Sequence, residues 1–289
     1  MNYEGRIFRP PSEAASLIIQ VTVGCAHNRC SFCSMYREKQ FRIKPLEAVL
    51  EMIIKQAKET PWVERVFIAD GDALILPMPY WRSLLSTIKT NFPNVKRVTS
   101  YGTPKDVIHK TDQELSELKE NGLQMIYMGL ETGSDRLLEK IQKGVTSAEM
   151  ILAGQKLKKS GIKQSITVIS GIGGREHSEE HARLTAAVLN QMDPEYIGLL
   201  TLLLEDDTPM LQEVRRGEMA LLSSREVLEE TRLLIELLEV TDCHFRSNHA
   251  SNYLALAGHL PDEKNRLLHE INQALKEGSG IRGEGYRRL

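Results

Sequence analysis

Apolar runs and stretches of helical period alternate from Ser16 to Leu204. SLIIQVTV (16–23), RVFIADG (65–71), RVTSYG (97–102), QMIYMGL (124–130), KQSITVISG (163–171) and YIGLLTLLL (196–204) read as strands. They are near-continuous apolar runs, the mark of strands buried on both faces of a parallel sheet. Between them the period lengthens to that of amphipathic helices, over 45–60, 79–91, 111–122, 134–144, 147–161 and 178–192. TDQELSELKENG (111–122) carries both helix punctuation marks: Thr111 as N-cap with Glu114 three residues on, and Gly122 as the stop. Six such alternations predict an α/β fold whose right-handed βαβ units close, or nearly close, a barrel.

After Glu205 the pattern changes. One long helix is predicted over 224–241 and a last one over 262–277, separated by the irregular polar run FRSNHASNYLAL (245–256). Residues 211–289 are expected to form a helical extension packed on the barrel. The Gly-rich tail GSGIRGEGYRRL is expected to be loose, with Arg282, Arg287 and Arg288 in solvent.

Composition narrows the class. The chain has 289 residues, 41% hydrophobic and 26% charged, as in ordinary globular proteins. A net charge of -2 gives no electrostatic case for nucleic acid, although a small basic site would escape this test. The start MNYEGRIFRPPSEAA has no apolar core of signal-peptide length, and no apolar run approaches a membrane span, so a cytoplasmic protein is expected. Four cysteines in a chain this long are no disulfide scaffold. Tight cysteine spacing in a reducing compartment points to a metal or to redox catalysis.

Three of the four lie in GCAHNRCSFC (24–33), just past the first strand: Cys25, Cys30 and Cys33, spaced C-x4-C-x2-C. Loops at this end of barrel strands build active sites. Thiolates are soft ligands that suit zinc or iron–sulfur clusters. A structural zinc site wants four protein ligands, and no second C-x2-C follows. Completion by Cys243, His244 or His249 is the zinc alternative. Three thiolates on a four-iron cluster would instead leave one iron open, a catalytic arrangement. Cys243 alone reads as an ordinary thiol.

In these residues the chain resembles the radical S-adenosylmethionine (SAM) enzymes, whose signature is a cysteine triplet after the first strand of a partial (β/α)6 TIM-like barrel. Phe32 fills the aromatic position before the third cysteine. The commonest family spacing is C-x3-C-x2-C, so one residue is inserted among Ala26, His27, Asn28 and Arg29. ADGDAL (69–74) occupies the place of the motif that holds the amino group of SAM, with Asp70 and Asp72 flanking Gly71. GLETGSDRLLEKIQKG (129–144) is very like a segment of the Elp3/MiaB/NifB-type subgroup, which includes coproporphyrinogen-dehydrogenase-like enzymes; Glu131 would there reach the ribose or methionyl part. VISGIGGRE (168–176) matches the glycine-rich segment beside the adenine, which brings in Ile169, Gly171 and Gly173. The resemblance covers residues 14–210. It implies one [4Fe–4S] cluster, SAM, reductive cleavage to a 5′-deoxyadenosyl radical, a small-molecule substrate, and an electron donor such as a flavodoxin or ferredoxin.

Other readings stay open. Asp70 and Asp72 also fit a solvated strand-end turn, and Glu131 fits a surface pair with Arg136. Tyr101, Arg246, Asn248 and His249 are substrate-side candidates, with Asn252 and Tyr253 beside them; a plain polar loop at the barrel mouth fits the same run. His27 and Arg29 fit a shield for the cluster loop. An RNA-modifying radical SAM enzyme is a further alternative. The substrate is not legible.

Overall fold

The computed structural model describes residues 3–205 and 208–288. Asp206 and Asp207, inside the predicted barrel range, and Met1, Asn2 and Leu289 lie outside the described residues. The chain forms two compact units. One takes in the described residues up to Asn28, Met35–Met128 and Lys156–Gln164; the other takes in Arg29–Ser34, Gly129–Gln155 and the described residues from Ser165 on.

The first unit opens with β1 (Leu17–Gln20), β2 (Thr22–Val23) and β3 (Arg42–Ile43), followed by α1 (Leu46–Glu59), β4 (Arg65–Ala69), α2 (Met78–Asn91) and β5 (Arg97–Tyr101). Two short helices follow, α3 (Pro104–His109) and α4 (Asp112–Glu120), and then β6 (Leu123–Glu131), whose last three residues belong to the second unit. Strands β1, β4, β5 and β6 pair in parallel in that order, with Ile18 beside Phe67, Phe67 beside Thr99 and Thr99 beside Met125. The short β2 and β3 pair antiparallel. Phe67, Trp81 and Phe92 are fully buried; burying a side chain of this size contributes about 1.5–3 kcal/mol. The rings of Phe67, Tyr101 and Tyr127 meet edge to face with centroids 5.0, 5.9 and 6.1 Å apart. Both α3 and α4 start on reciprocal capping boxes, Thr103 with Asp106 and Thr111 with Glu114.

The second unit continues through α5 (Asp135–Lys140), α6 (Ser147–Ser160, shared with the first unit), β7 (Lys163–Ser170), α7 (Ser178–Met192), β8 (Tyr196–Thr201), α8 (Pro209–Arg215) and α9 (Ser224–Leu237). It closes with β9 (Cys243–Arg246), β10 (Ala257–Leu260) and α10 (Lys264–Glu277). Strands β7, β8 and β9 are parallel, and β10 is antiparallel to β9. Helix α9 packs against α7 and α10.

The six strands and the main helices expected from periodicity are all present. The C-terminal extension carries more than helices, because β9 and β10 bracket the polar run, β9 sharing Phe245 and Arg246 with it. Their four residues alternate, with Cys243 and Phe245 inward and His244 and Arg246 outward, too short a pattern to stand out.

Candidate functional site

The cysteine loop leaves β2 at Gly24, whose φ of +79° admits no side chain without strain. Cys25 is half-buried in the first unit. Cys30 and Cys33, also half-buried, share one tight turn of the second unit, in which the Cys33 N–H donates to the Cys30 carbonyl at 3.2 Å. Ser31 anchors that turn: its N–H donates to the Ile141 carbonyl at 2.9 Å, and its carbonyl accepts from Met210 N at 3.1 Å. Phe32 beside it is half-buried. None of the cysteines is in a disulfide. Asn28 sits at φ +42°, with its Nδ2 donating to the Tyr36 carbonyl at 2.9 Å.

At the end of β4 the two aspartates part company. Asp70 is fully buried, and its Oδ2 accepts from Gly24 N at 3.0 Å and from Lys39 Nζ at 2.7 Å. Its own N–H donates to Thr22 Oγ1 at 3.2 Å. Asp70 is therefore a brace for the cysteine loop. Gly71 explains itself by packing, since a Cβ there would meet the Tyr36 ring at 2.6 Å and Cys25 Cβ at 3.1 Å. Asp72 is 2% exposed, and its Oδ1 has no hydrogen-bond partner among the described residues. Burial, then a shared hydrogen bond with the Asp106 carboxyl, pushes the Asp72 carboxyl up to about 9. Neither aspartate lies in a solvated turn.

At the end of β6, Glu131 takes φ +62° and is buried. Its Oε1 accepts from Lys143 Nζ at 2.7 Å, so its partner is Lys143 and not Arg136. Gly129 makes room for this pair, because a Cβ there would overlap Glu131 Oε1 and come 2.9 Å from Lys143 Nζ. Gly133 lets the strand end approach α7, with its N–H donating to Thr185 Oγ1 at 2.9 Å.

At the end of β7, the glycine-rich turn is held from α9. Glu230, 4% exposed, accepts from Ser170 Oγ at 2.6 Å, from Gly171 N at 2.7 Å and from Ser178 Oγ at 2.6 Å. His181, fully enclosed, bonds Thr132 Oγ1 through Nδ1 at 2.9 Å, and its Nε2 stands 3.8 Å from Glu230 Oε1. Burial holds this imidazole below its usual pKa, against the pull of Glu230. Ile169 and Gly173 are buried, and Gly171 sits at φ +82°. A cavity of about 700 Å³ opens beside Gly171, Thr201 and Leu202, walled by Leu222, Tyr253 and Ile281.

Among the substrate-side candidates, Tyr101 ends β5 partly exposed, with burial and the nearby Tyr127 and Asp70 raising its pKa. Arg246 and Asn248 are exposed. His249 is half-buried and held below its usual pKa by burial and by Arg282; its Nδ1 accepts from Ser251 N at 3.1 Å. Asn252 is structural, bridging Thr201 Oγ1 at 2.9 Å and the Leu199 carbonyl at 2.8 Å. The tail is docked at Arg282 and Arg287, contrary to expectation, while the Arg288 side chain is exposed as expected. Arg287, with a side chain 5% exposed, donates to the carbonyls of Leu202 and Ser251 at 2.6 Å each and stacks 4.3 Å over the Tyr253 ring. Arg282 Nη1 donates to the Ala250 carbonyl at 2.9 Å and Asn252's at 3.1 Å, and Arg288 N to Ala250's at 3.3 Å. Buried backbone carbonyls need donors, and these arginines supply them. Cys243 is buried on β9, and burial pushes its thiol up to about 12. Among the described residues no three His, Cys, Asp or Glu side chains, the cysteine triplet included, gather where one metal ion could sit.

The partners Lys39, Asp106, Lys143 and Glu230 were missed from sequence. Lys143 lies inside the 129–144 segment and was within reach; Glu230 carries no local signal at all.

The Radical SAM superfamily model matches residues 19–188. The heme chaperone HemW of Lactococcus lactis subsp. lactis (strain IL1403) is 22% identical over 219 residues, 74% of this chain and 56% of that protein. This chain thus spans little more than half of that relative. Among solved structures, the radical SAM methyltransferase TsrM from Kitasatospora setae, with cobalamin and a [4Fe–4S] cluster bound, aligns at TM-score 0.57 and 19% identity over 70% of this chain and 39% of that one. Methylornithine synthase (PylB) aligns at TM-score 0.56 and 16% identity, covering 93% and 74%. Such likeness shows the shared fold, the α/β partial barrel expected from the sequence. The family match covers more than half of the chain, from β1 through most of α7; the chain belongs to the radical SAM superfamily, enzymes that work with a [4Fe–4S] cluster and SAM.

Proposed function

We propose that this chain is a radical SAM enzyme built from a barrel over 14–210 and an extension over 211–289, acting on a small-molecule substrate. The observation that carries the reading is the family match over 19–188, which takes in the cysteine loop and the ends of β4, β6 and β7. Three half-buried thiols outside any disulfide are a fitting donor set for an iron–sulfur cluster. The buried, unpartnered Asp72 Oδ1 fits an ammonium group. When cluster and SAM are bound, the chemistry they supply is reductive cleavage to a 5′-deoxyadenosyl radical that abstracts hydrogen from the substrate.

Cys25, Cys30 and Cys33 would hold the cluster, with Phe32 packed beside it. Asp72 would accept from the SAM ammonium, and Gly71 keeps the chain close to Cys25 and Tyr36. Glu131, steadied by Lys143, would bind the ribose or methionyl part. Ile169, Gly171 and Gly173 would line the adenine. Tyr101, Arg246, Asn248 and His249 are the proposed substrate side. A flavodoxin or ferredoxin is the proposed electron donor and the cytoplasm the proposed compartment; no described helix is long and apolar enough to cross a membrane. The HemW relative makes a tetrapyrrole the first substrate class to try.

Anaerobic reconstitution tests this. Wild type and Cys243→Ala should take up about four irons and yield 5′-deoxyadenosine from SAM and dithionite. Cys25→Ala, Cys30→Ala and Cys33→Ala should do neither. One zinc per colourless chain, with no SAM cleavage, overturns the reading. Salt-sensitive binding of tRNA would favour the RNA-modifying alternative.

A further inference from the structure

The extension grips the glycine-rich turn at several points. Glu230 accepts from Ser170, Gly171 and Ser178. The Ala220 carbonyl takes Arg175 N at 2.9 Å, and Glu226 Oε1 takes Arg175 Nε at 2.6 Å. Gly174, at φ +64°, lies against the same stretch, where a Cβ would come 3.1 Å from the Ala220 carbonyl. The turn from Gly171 to Gly174 includes two residues at positive φ, a conformation that glycine adopts readily but does not enforce. What enforces it is a buried carboxylate with three donors, the strong kind of hydrogen bonding.

We infer that Glu230 is a positioning residue for SAM: through Gly171 N and the two serine hydroxyls, α9 sets the shape of the turn proposed to line the adenine. This rests on the reading above that Gly171 borders SAM. The extension would then be part of the cofactor site and not an appendage to it. Glu230 touches neither cofactor nor reacting atoms; it acts on the turn.

The full chain is compared with Glu230→Leu, Glu230→Gln and the exposed control Glu229→Gln. In the chain without cofactors, amide hydrogen exchange at Gly171 should quicken about tenfold or more in Glu230→Leu and by less in Glu230→Gln, with Glu229→Gln as wild type. In the cluster-loaded protein, SAM affinity should fall in the same order by about ten- to a hundredfold for Glu230→Leu, while turnover at saturating SAM changes little. A folded Glu230→Leu with wild-type exchange at Gly171 and wild-type SAM affinity overturns the inference. If that variant does not fold, Glu230→Gln decides by the same two readouts. A wild type that binds no SAM sinks the functional reading instead, and the exchange arm still judges the hold of Glu230 on the turn.

Discussion

Lys39 Nζ stands 2.7 Å from Asp70 Oδ2, with the two side chains 9% and 0% exposed, so a buried ion pair ties the far side of the cysteine loop to the end of β4. The same carboxylate oxygen holds Gly24 N, next to Cys25. Asp70→Asn should cost about 3–5 kcal/mol in urea unfolding, because it leaves a largely buried ammonium without its counter-charge and with the Arg6 carbonyl as its remaining acceptor. The double variant Lys39→Met with Asp70→Asn should cost clearly less than the two single changes summed. Iron uptake should fall with Asp70→Asn even at temperatures where the variant is folded.

Asp72 and Asp106 predict a pH dependence of the chain without cofactors. The folded state lifts the Asp72 carboxyl from 3.8 to about 9, so between those values the folded chain holds a proton that the unfolded chain releases. Stability therefore falls as pH rises through that window. Asp72→Asn removes this titration and should flatten the slope of unfolding free energy between pH 5 and 8 (about the middle of the window). An unchanged slope refutes the shared proton.

Two glycines predict opposite outcomes for the same substitution. At Gly133 a Cβ would lie 2.7 Å from Thr185 Cα, against backbone that cannot yield, so Gly133→Ala should destabilise by about 1–3 kcal/mol or more. At Gly129 the obstacle is the end of the Glu131 and Lys143 side chains, which can swing away. Gly129→Ala should leave the melting temperature nearly unchanged and weaken SAM binding. Calorimetry and equilibrium dialysis separate the two.

The docked tail is testable by protease. Arg287→Met keeps the bulk over Tyr253 but removes the donors to Leu202 and Ser251. It should cost about 1–3 kcal/mol and expose Arg282 to trypsin within minutes under conditions where wild type resists. Equal cleavage rates would show that the tail contributes nothing.

The main frame was legible because buried parallel strands write themselves as unbroken apolar runs, and Thr111 with Glu114 marks a helix start outright. The cysteine triplet stood out because three of the four cysteines fall in one loop, from Cys25 to Cys33. What could not be read were pairings between distant positions. Lys39 with Asp70, Asp72 with Asp106 and Glu230 with Gly171 join residues 31, 34 and 59 apart, and nothing local announces them. The tail misled for a related reason. Glycine-rich composition predicts freedom, yet two arginines meeting a row of backbone carbonyls override it.

Asn28 offers a practical lesson for recognising distant kin. Between Cys25 and Cys30 this one small polar residue bends left-handed and clasps the backbone eight places on. Search patterns that demand three intervening residues would pass over every chain built this way. A pattern that tolerates a fourth, and asks for asparagine or glycine at that bend, would bring such chains into view.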